Sequence, residues 1–322
     1  MSAPPPVKKA MRDTFIGKTL EAMASEKNLY FLSADFGAPL LDRIRKEYPC
    51  NFINVGIAEQ NLVSVAAGLA FEGMTVHAYA ISSFLATRAF EQVKINLSLH
   101  SHVREVNVNL VAVGAGLSYD ISGPTHHGLE DLSVVNSLPG ITLFSPSDWV
   151  LAGKFHAYAL AHKVPKYLRL EGKPVPAIYD ARPEVKIEDC FCELQRGEDV
   201  CVVSTGFMTH VALEAMRLAA AKGLKPGLVD LFLLKPLDGA SLMRTLGRYK
   251  KVVTIEEGFI GAGGMDAIVS GLVNASGLGL KIKSLGFRNK FVFEHGPREY
   301  LHSLYGLDAG SLAALLEKEL AA

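Results

Sequence analysis

The residues best placed to do chemistry are an acid and a histidine pair, each next to a turn that could aim it. Glu59 follows Asn54-Val55-Gly56-Ile57-Ala58, where a short apolar strand ends in a Gly turn and a helix begins, so a carboxylate stands in the first helical turn. That position suits an acid that exchanges a proton with a ligand, and equally a surface acid stabilised by the helix dipole. Spacing alone names no cofactor. His126 and His127 follow Gly123-Pro124-Thr125, a turn sequence that holds a loop in one shape. Imidazole there can donate a hydrogen bond and move a proton near neutral pH. The four cysteines, Cys50, Cys190, Cys192 and Cys201, have no paired metal spacing. Cys190-Phe191-Cys192 would place two thiols on one strand face, and the set reads as reduced, structural thiols with no metal site.

These side chains need a scaffold, and the hydrophobic pattern supplies one. The 322 residues suit two domains of ordinary size, and 49% hydrophobic content allows each a full core. Lys plus Arg and Asp plus Glu both number 33, so no overall field draws the chain to nucleic acid or an anionic membrane. The Pro-rich, basic start, Met1 to Lys9, has no apolar segment of signal-peptide length, and no stretch approaches a membrane span; a cytoplasmic protein is expected.

Helical periodicity over 11–26 precedes an apolar run at 29–32. Strands at 52–55, 75–80, 106–113, 141–144 and 167–170 then alternate with helices at 58–71, 83–99, 129–137 and 148–162. Between Glu171 and Glu188 the periodicity lapses into Gly172, Pro174, Pro176 and Pro183, the composition of an inter-domain linker. Beyond it, strands at 200–204, 227–231, 251–255 and 281–286 alternate with helices at 208–222, 239–247, 263–275, 297–304 and 309–320. The expected fold is α/β with two doubly wound domains, 1–180 and a smaller 181–322, built on parallel sheets covered by helices. Ligands in that architecture gather beyond the carboxyl ends of the strands.

Four stretches, in order, resemble the transketolase family of thiamine-diphosphate enzymes: Ser33-Ala34-Asp35; Gly56-Ile57-Ala58-Glu59-Gln60-Asn61; Ser82-Ser83-Phe84-Leu85 followed by Arg88-Ala89-Phe90-Glu91-Gln92; and Gly123-Pro124-Thr125-His126-His127-Gly128. Val253-Thr254-Ile255-Glu256-Glu257 with Gly261-Ala262-Gly263-Gly264 resembles the family's C-terminal domain, so the likeness covers nearly the whole chain. The chain contains no Gly-Asp-Gly, the motif with which the family's N-terminal domain holds diphosphate and Mg²⁺. The resemblance therefore implies a pyrimidine-binding domain plus a C-terminal domain, as in split transketolases. Such a chain is inactive alone, requires an N-terminal subunit that carries the Mg²⁺ ligands, and works as an α2β2 heterotetramer on sugar substrates.

By the same resemblance Glu59 touches N1' of the cofactor's aminopyrimidine and Phe84 stacks on that ring, with Ile57 and Arg88 also at the cofactor. A carboxyl that shares a proton with a ring nitrogen in a dry site is something neither Gln nor an exposed Glu replaces. His126 faces the substrate carbonyl, with His127 as its possible stand-in, and Ser122 stands where the family reads a substrate hydroxyl with Asp. Arg12 and Arg169 match positions that grip a sugar's terminal phosphate, a task for which a guanidinium fork suits an oxyanion. Two usual phosphate partners are absent: Pro39 replaces a Ser and Gly114 a His. The implied reaction is transfer of a two-carbon ketol unit from ketose to aldose. A deoxyxylulose-phosphate synthase-like subunit, a 2-oxoacid dehydrogenase beta-type subunit and a non-catalytic homologue are the rival readings.

Overall fold

The computed structural model describes residues 7–321; Met1 to Pro6 of the Pro-rich start, and Ala322, lie outside the described residues. Seven strands form the first sheet, in the order Leu233–Lys235, Thr142–Phe144, Lys166–Leu170, Val108–Val113, Thr75–Ile81, Leu29–Ser33, Phe52–Asn54. All pair in parallel except Leu233–Lys235, which runs antiparallel to Thr142–Phe144. Every residue of the central strand Val108–Val113 is buried, as a strand covered by helices on both faces requires. The second sheet runs Lys281–Phe287, Lys251–Phe259, Val200–Ser204, Gly227–Leu231, Phe191–Gln195; the last strand is antiparallel and the others are parallel. The α/β class and the two parallel-sheet domains thus agree with the sequence pattern.

Several elements depart from it. The predicted helix over 83–99 is broken into Ser82–Thr87, Phe90–Gln92 and a π-helical Val93–Leu99, with the interruption at Arg88 and Ala89. A helix at Leu41–Glu47 and a strand at Leu233–Lys235 have no counterpart in the sequence pattern, and the strand expected around Cys190 and Cys192 runs over Phe191–Gln195. The linker is partly ordered: Val175–Pro176 pairs with Lys8–Lys9. Asp148, which caps helix Trp149–Ala161 through Leu151 N, also accepts from the amides of Ile178 and Tyr179 with its other oxygen. Cys190 does not share a strand face with Cys192, because it precedes the strand in a left-handed conformation (φ 67°). All four cysteines are free. Among the described residues no helix is long and apolar enough to cross a membrane.

The two halves share one core. Leu132, Leu143 and Tyr167 pack in the same cluster as Val203, Leu231 and Met265. Polar contacts reinforce the seam: Asp230 accepts from Ser147 Oγ at 2.5 Å, Tyr179 OH at 2.7 Å and Thr209 Oγ1 at 2.8 Å. Burial pushes the Asp230 carboxyl up to about 6 despite those donors.

At the amino ends of the first sheet's strands lies a row of buried polar residues, His77, Asn109 and Lys166, in cross-strand register. The Lys166 ammonium reaches only neutral acceptors, Asn107 Oδ1 at 2.9 Å and Val164 O at 2.8 Å, and burial lowers its pKa to about 7 from the ordinary 10.5. A base whose pKa falls on folding binds more protons when unfolded, so stability rises with pH between the two values. Thermal melts of the purified chain are expected to shift upward from pH 7 to 10, and Lys166→Met is expected to flatten that climb. An identical slope in wild type and variant would contradict a neutral Lys166.

Candidate functional site

Three segments of the first domain converge at the carboxyl ends of its strands. Gly56 takes φ +76°, a conformation open to glycine, and turns the chain from strand Phe52–Asn54 into helix Glu59–Phe71. Asn54 fixes this turn to its neighbour: Oδ1 accepts from Gly56 N at 3.0 Å and Asp35 N at 3.1 Å, while Nδ2 donates to Asp35 Oδ1 at 2.9 Å. Asp35 is thereby held at φ 54°, unusual for a residue with a side chain. The result is a Glu59 side chain only 3% exposed beside an Ile57 that is 76% exposed.

Glu59 Oε2 accepts from Arg88 Nη1 at 2.5 Å, and Oε1 takes no hydrogen bond from the described residues. One oxygen is anchored and the other is left for an incoming donor. Arg88 stands at the interruption of the predicted helix. Its guanidinium also covers the Phe84 ring at 4.9 Å, and Phe84 meets the His126 ring edge-on at 5.2 Å. Glu59, Arg88, Phe84 and His126 are therefore one contiguous set, drawn from three separate stretches.

His126 is carried by a loop whose ends are joined. Gly116 and Gly128 exchange backbone hydrogen bonds (Gly116 N to Gly128 O 3.1 Å; Gly128 N to Gly116 O 2.8 Å), which closes the compact arrangement of an Ω-loop. A side chain at Gly128 would come within 2.7 Å of Ser82 Oγ, so the neck packs directly against the segment that carries Phe84. Ser122 is exposed on the loop, and His126 is half-buried with Nδ1 3.0 Å from Thr125 Oγ1.

His127 turns the other way. It is buried, donates from Nε2 to Asp120 O at 3.3 Å, and burial lowers its pKa; the bond braces the loop, and Nδ1 is buried without a partner among the described residues. Arg169, expected to grip an anion, is tied into the protein by part of its fork. It is 2% exposed, its Nε lies 2.9 Å from both Asp131 oxygens, and its Nη2 donates to Gly128 O at 2.9 Å and Glu257 O at 2.8 Å. A buried guanidinium needs such partners; they engage Nε and Nη2, while Nη1 makes no hydrogen bond to the described residues.

Arg12 is less enclosed. Half-buried in helix Met11–Ala22, it donates to Asp13 at 2.7 Å. Burial raises the pKa of the Tyr79 and Tyr119 phenols, that of Tyr119 to about 12, and the charge of Arg12 offsets part of the rise at both. A hollow of about 480 Å³ is lined by Ser33, Asp35, Phe36, Pro39 and Asn54 among others, with Phe36 stacked on Tyr79. Tyr119 explains the missing His at 114: Gly114 has φ +103°, and a Cβ there would overlap the Tyr119 ring. The phenol occupies the space beside that strand end. Asn54, Tyr119 and Asp131 are site residues that spacing did not reveal, although Asn54 directly precedes the Gly turn.

Among the described residues no cluster of three or more His, Cys, Asp or Glu could hold a metal ion.

Residues 8–175 match the family described as transketolase, pyrimidine binding domain, and residues 192–312 match transketolase, C-terminal domain. A 1-deoxy-D-xylulose-5-phosphate synthase of Geobacter sulfurreducens is 34% identical over 95% of the chain, which spans 47% of that protein. The chain thus covers about half the length of that relative. One subunit of an apulose-4-phosphate transketolase of Actinobacillus succinogenes is 30% identical over 84% of the chain and 85% of its own. A solved split-gene transketolase, described as an inactive beta4 tetramer, superposes with a TM-score of 0.85 at 30% identity, covering 97% of this chain and 98% of that one.

The anchoring of Arg169 is directly measurable. Arg169→Met leaves Asp131 buried without a counter-charge and is expected to cost about 3–5 kcal/mol in urea unfolding, with Asp131→Leu in the same chain recovering part of the loss. Unchanged stability would contradict that anchoring.

Proposed function

The chain belongs to the transketolase family, and on that premise we propose that it is the C-terminal half of a split, thiamine-diphosphate-dependent transketolase. It moves a two-carbon ketol unit from a ketose to an aldose in the cytoplasm, together with an N-terminal subunit that brings the diphosphate and Mg²⁺ site. The observation that carries this reading is the buried Glu59 carboxylate, anchored by Arg88 on one oxygen and unengaged on the other, beside Phe84 and His126.

These residues fit the cofactor. An aminopyrimidine offers a ring nitrogen to the open Glu59 oxygen, and the half-buried Phe84 offers a flat face that leaves protonation free. Bound thiamine diphosphate supplies a nucleophilic carbon and an internal amino base. The chain's own contribution is to hold a proton between Glu59 and the ring, to keep Arg88 fixed over Phe84, and to present His126 as hydrogen-bond donor to a substrate carbonyl. Ile57 would border the cofactor, while Arg12, Ser122 and the free Nη1 of Arg169 would serve the sugar; His127 braces the loop through Asp120.

The relative named as an apulose-4-phosphate transketolase subunit and the split-gene structure described as inactive both support a chain that is silent by itself. The relative named as a deoxyxylulose-phosphate synthase favours a second reading, in which pyruvate is the donor. Assaying the reconstituted pair with ketose donors, and with pyruvate plus an aldehyde, separates the two.

In that assay Glu59→Gln is expected to fold normally and to lose at least about a hundredfold in turnover, the scale of a lost acid-base group. Near-wild-type turnover would sink the assignment. Static light scattering is expected to give two copies of each chain, this one of 34.7 kDa, at full activity; separate monomers at full activity would refute a shared site.

A further inference from the structure

Parallel α/β sheets take ligands where the strand order reverses. In the second sheet that point lies between Val200–Ser204 and Lys251–Phe259, whose successors Gly227–Leu231 and Lys281–Phe287 lie on opposite sides. Here the crevice is filled by the chain itself. Glu257, near the end of its strand, receives Nε of Arg298 at 2.8 Å and also Nη2, and His302 Nε2 donates to the same carboxylate at 2.5 Å. The Arg298 guanidinium lies 3.6 Å from the centre of the Phe207 ring.

The same arginine reaches into the first domain. Its Nη1 donates to Glu171 Oε2 at 2.6 Å, and its backbone N–H donates to Asp120 Oδ2 at 2.8 Å. Asp120 lies within the loop that carries His126: its carbonyl receives His127, and its carboxylate also receives Lys173 Nζ at 2.5 Å. Glu257 touches the loop's neck, since a Cβ on Gly116 (φ +56°) would collide with Glu257 Oε2. Three carboxylates, at the loop's neck, its middle and the adjoining strand end, thus converge on one residue. Arg298, Glu257 and Glu171 are each 2% exposed and Asp120 is 3% exposed. Burial by itself would raise the Glu257 carboxyl, but Arg298 and His302 overcome it and hold that carboxyl well below the usual range. The Glu257–Arg298 pair stays charged while buried.

We propose that Arg298 is a positioning residue through which the C-terminal domain sets the geometry of the loop that presents His126. For catalysis this rests on the ketol-transfer reading above. The domain's ligand crevice, closed by its own side chains, has become a latch on another domain's loop. This gives the C-terminal domain work in the reaction through a residue of the other domain.

Arg298→Met strands two buried carboxylates and can fail to fold, so the decisive variant is Asp120→Ala, with Asp120→Asn as the conservative control. Hydrogen–deuterium exchange on the full chain is expected to quicken over 116–128 in Asp120→Ala while strand Val108–Val113 stays protected. In the reconstituted pair kcat/KM is expected to fall about tenfold to a hundredfold, the scale of a misplaced reacting group. Asp120→Asn restores most of both effects, because its amide oxygen still accepts the Arg298 N–H. Wild-type loop exchange and wild-type kcat/KM in Asp120→Ala, with only a lower melting temperature, would overturn the latch and leave the ketol-transfer reading standing. If the wild-type pair transfers no ketol unit while the loop exchange still responds, the ketol-transfer reading falls and the latch survives.

Discussion

A guanidinium taken out of water must find carboxylates and carbonyls at hydrogen-bond distance, and two such groups govern how this chain comes together. Arg169 sits between Asp131 and the carbonyls of Gly128 and Glu257; Arg298 sits among Glu257, Glu171 and the Asp120 contact of its own backbone. Glu257 belongs to both sets, so the domains meet at a side chain whose surroundings both arginines dictate. Such pairs add little net stability over a well-packed apolar seam, but they tolerate few geometries. Their consequence is specificity of arrangement: the loop between Gly116 and Gly128 has one way to close.

From that constraint the site follows in order. A closed neck against Ser82 places His126 beside Phe84; Phe84 lies under Arg88, and Arg88 holds Glu59. Asn54, meanwhile, fastens the Gly56 turn to the Asp35 loop, so the acid and the hollow lined by Asp35 and Asn54 are set by one amide. The chemistry asked of Glu59 needs an acid kept from bulk solvent yet reachable, and a helix that begins shortly after the left-handed Gly56 supplies both conditions.

The parts of the molecule legible in the sequence are those decided locally. Alternating apolar strands and amphipathic helices mark the class, and the Gly turn before Glu59 marks a carboxylate at a helix start. Long-range partnership is not legible. Arg169 reads the same in a strand whether its fork meets a ligand or Asp131, and nothing near 298 announces a partner at 171, 127 residues away. The histidine pair illustrates the limit: adjacent residues in a turn face different ways, and only the fold shows that His127 is the buried one. Elements escape the pattern where they are short, as at Leu233–Lys235, or flanked by prolines, as at Leu41–Glu47 between Pro39 and Pro49. The helix expected over 83–99 is continuous in periodicity, yet it breaks where Arg88 turns toward Glu59.

Strand Leu233–Lys235 belongs by sequence to the second half of the chain but completes the first sheet along Thr142–Phe144. Splitting the chain between its halves would strip that border and bare a row of unpaired amides beside apolar side chains, an invitation to sticky edge-to-edge association. The two halves are best regarded as a single unit of inheritance, and shuffling either one onto a foreign scaffold requires carrying this three-residue tab along with the sheet it seals.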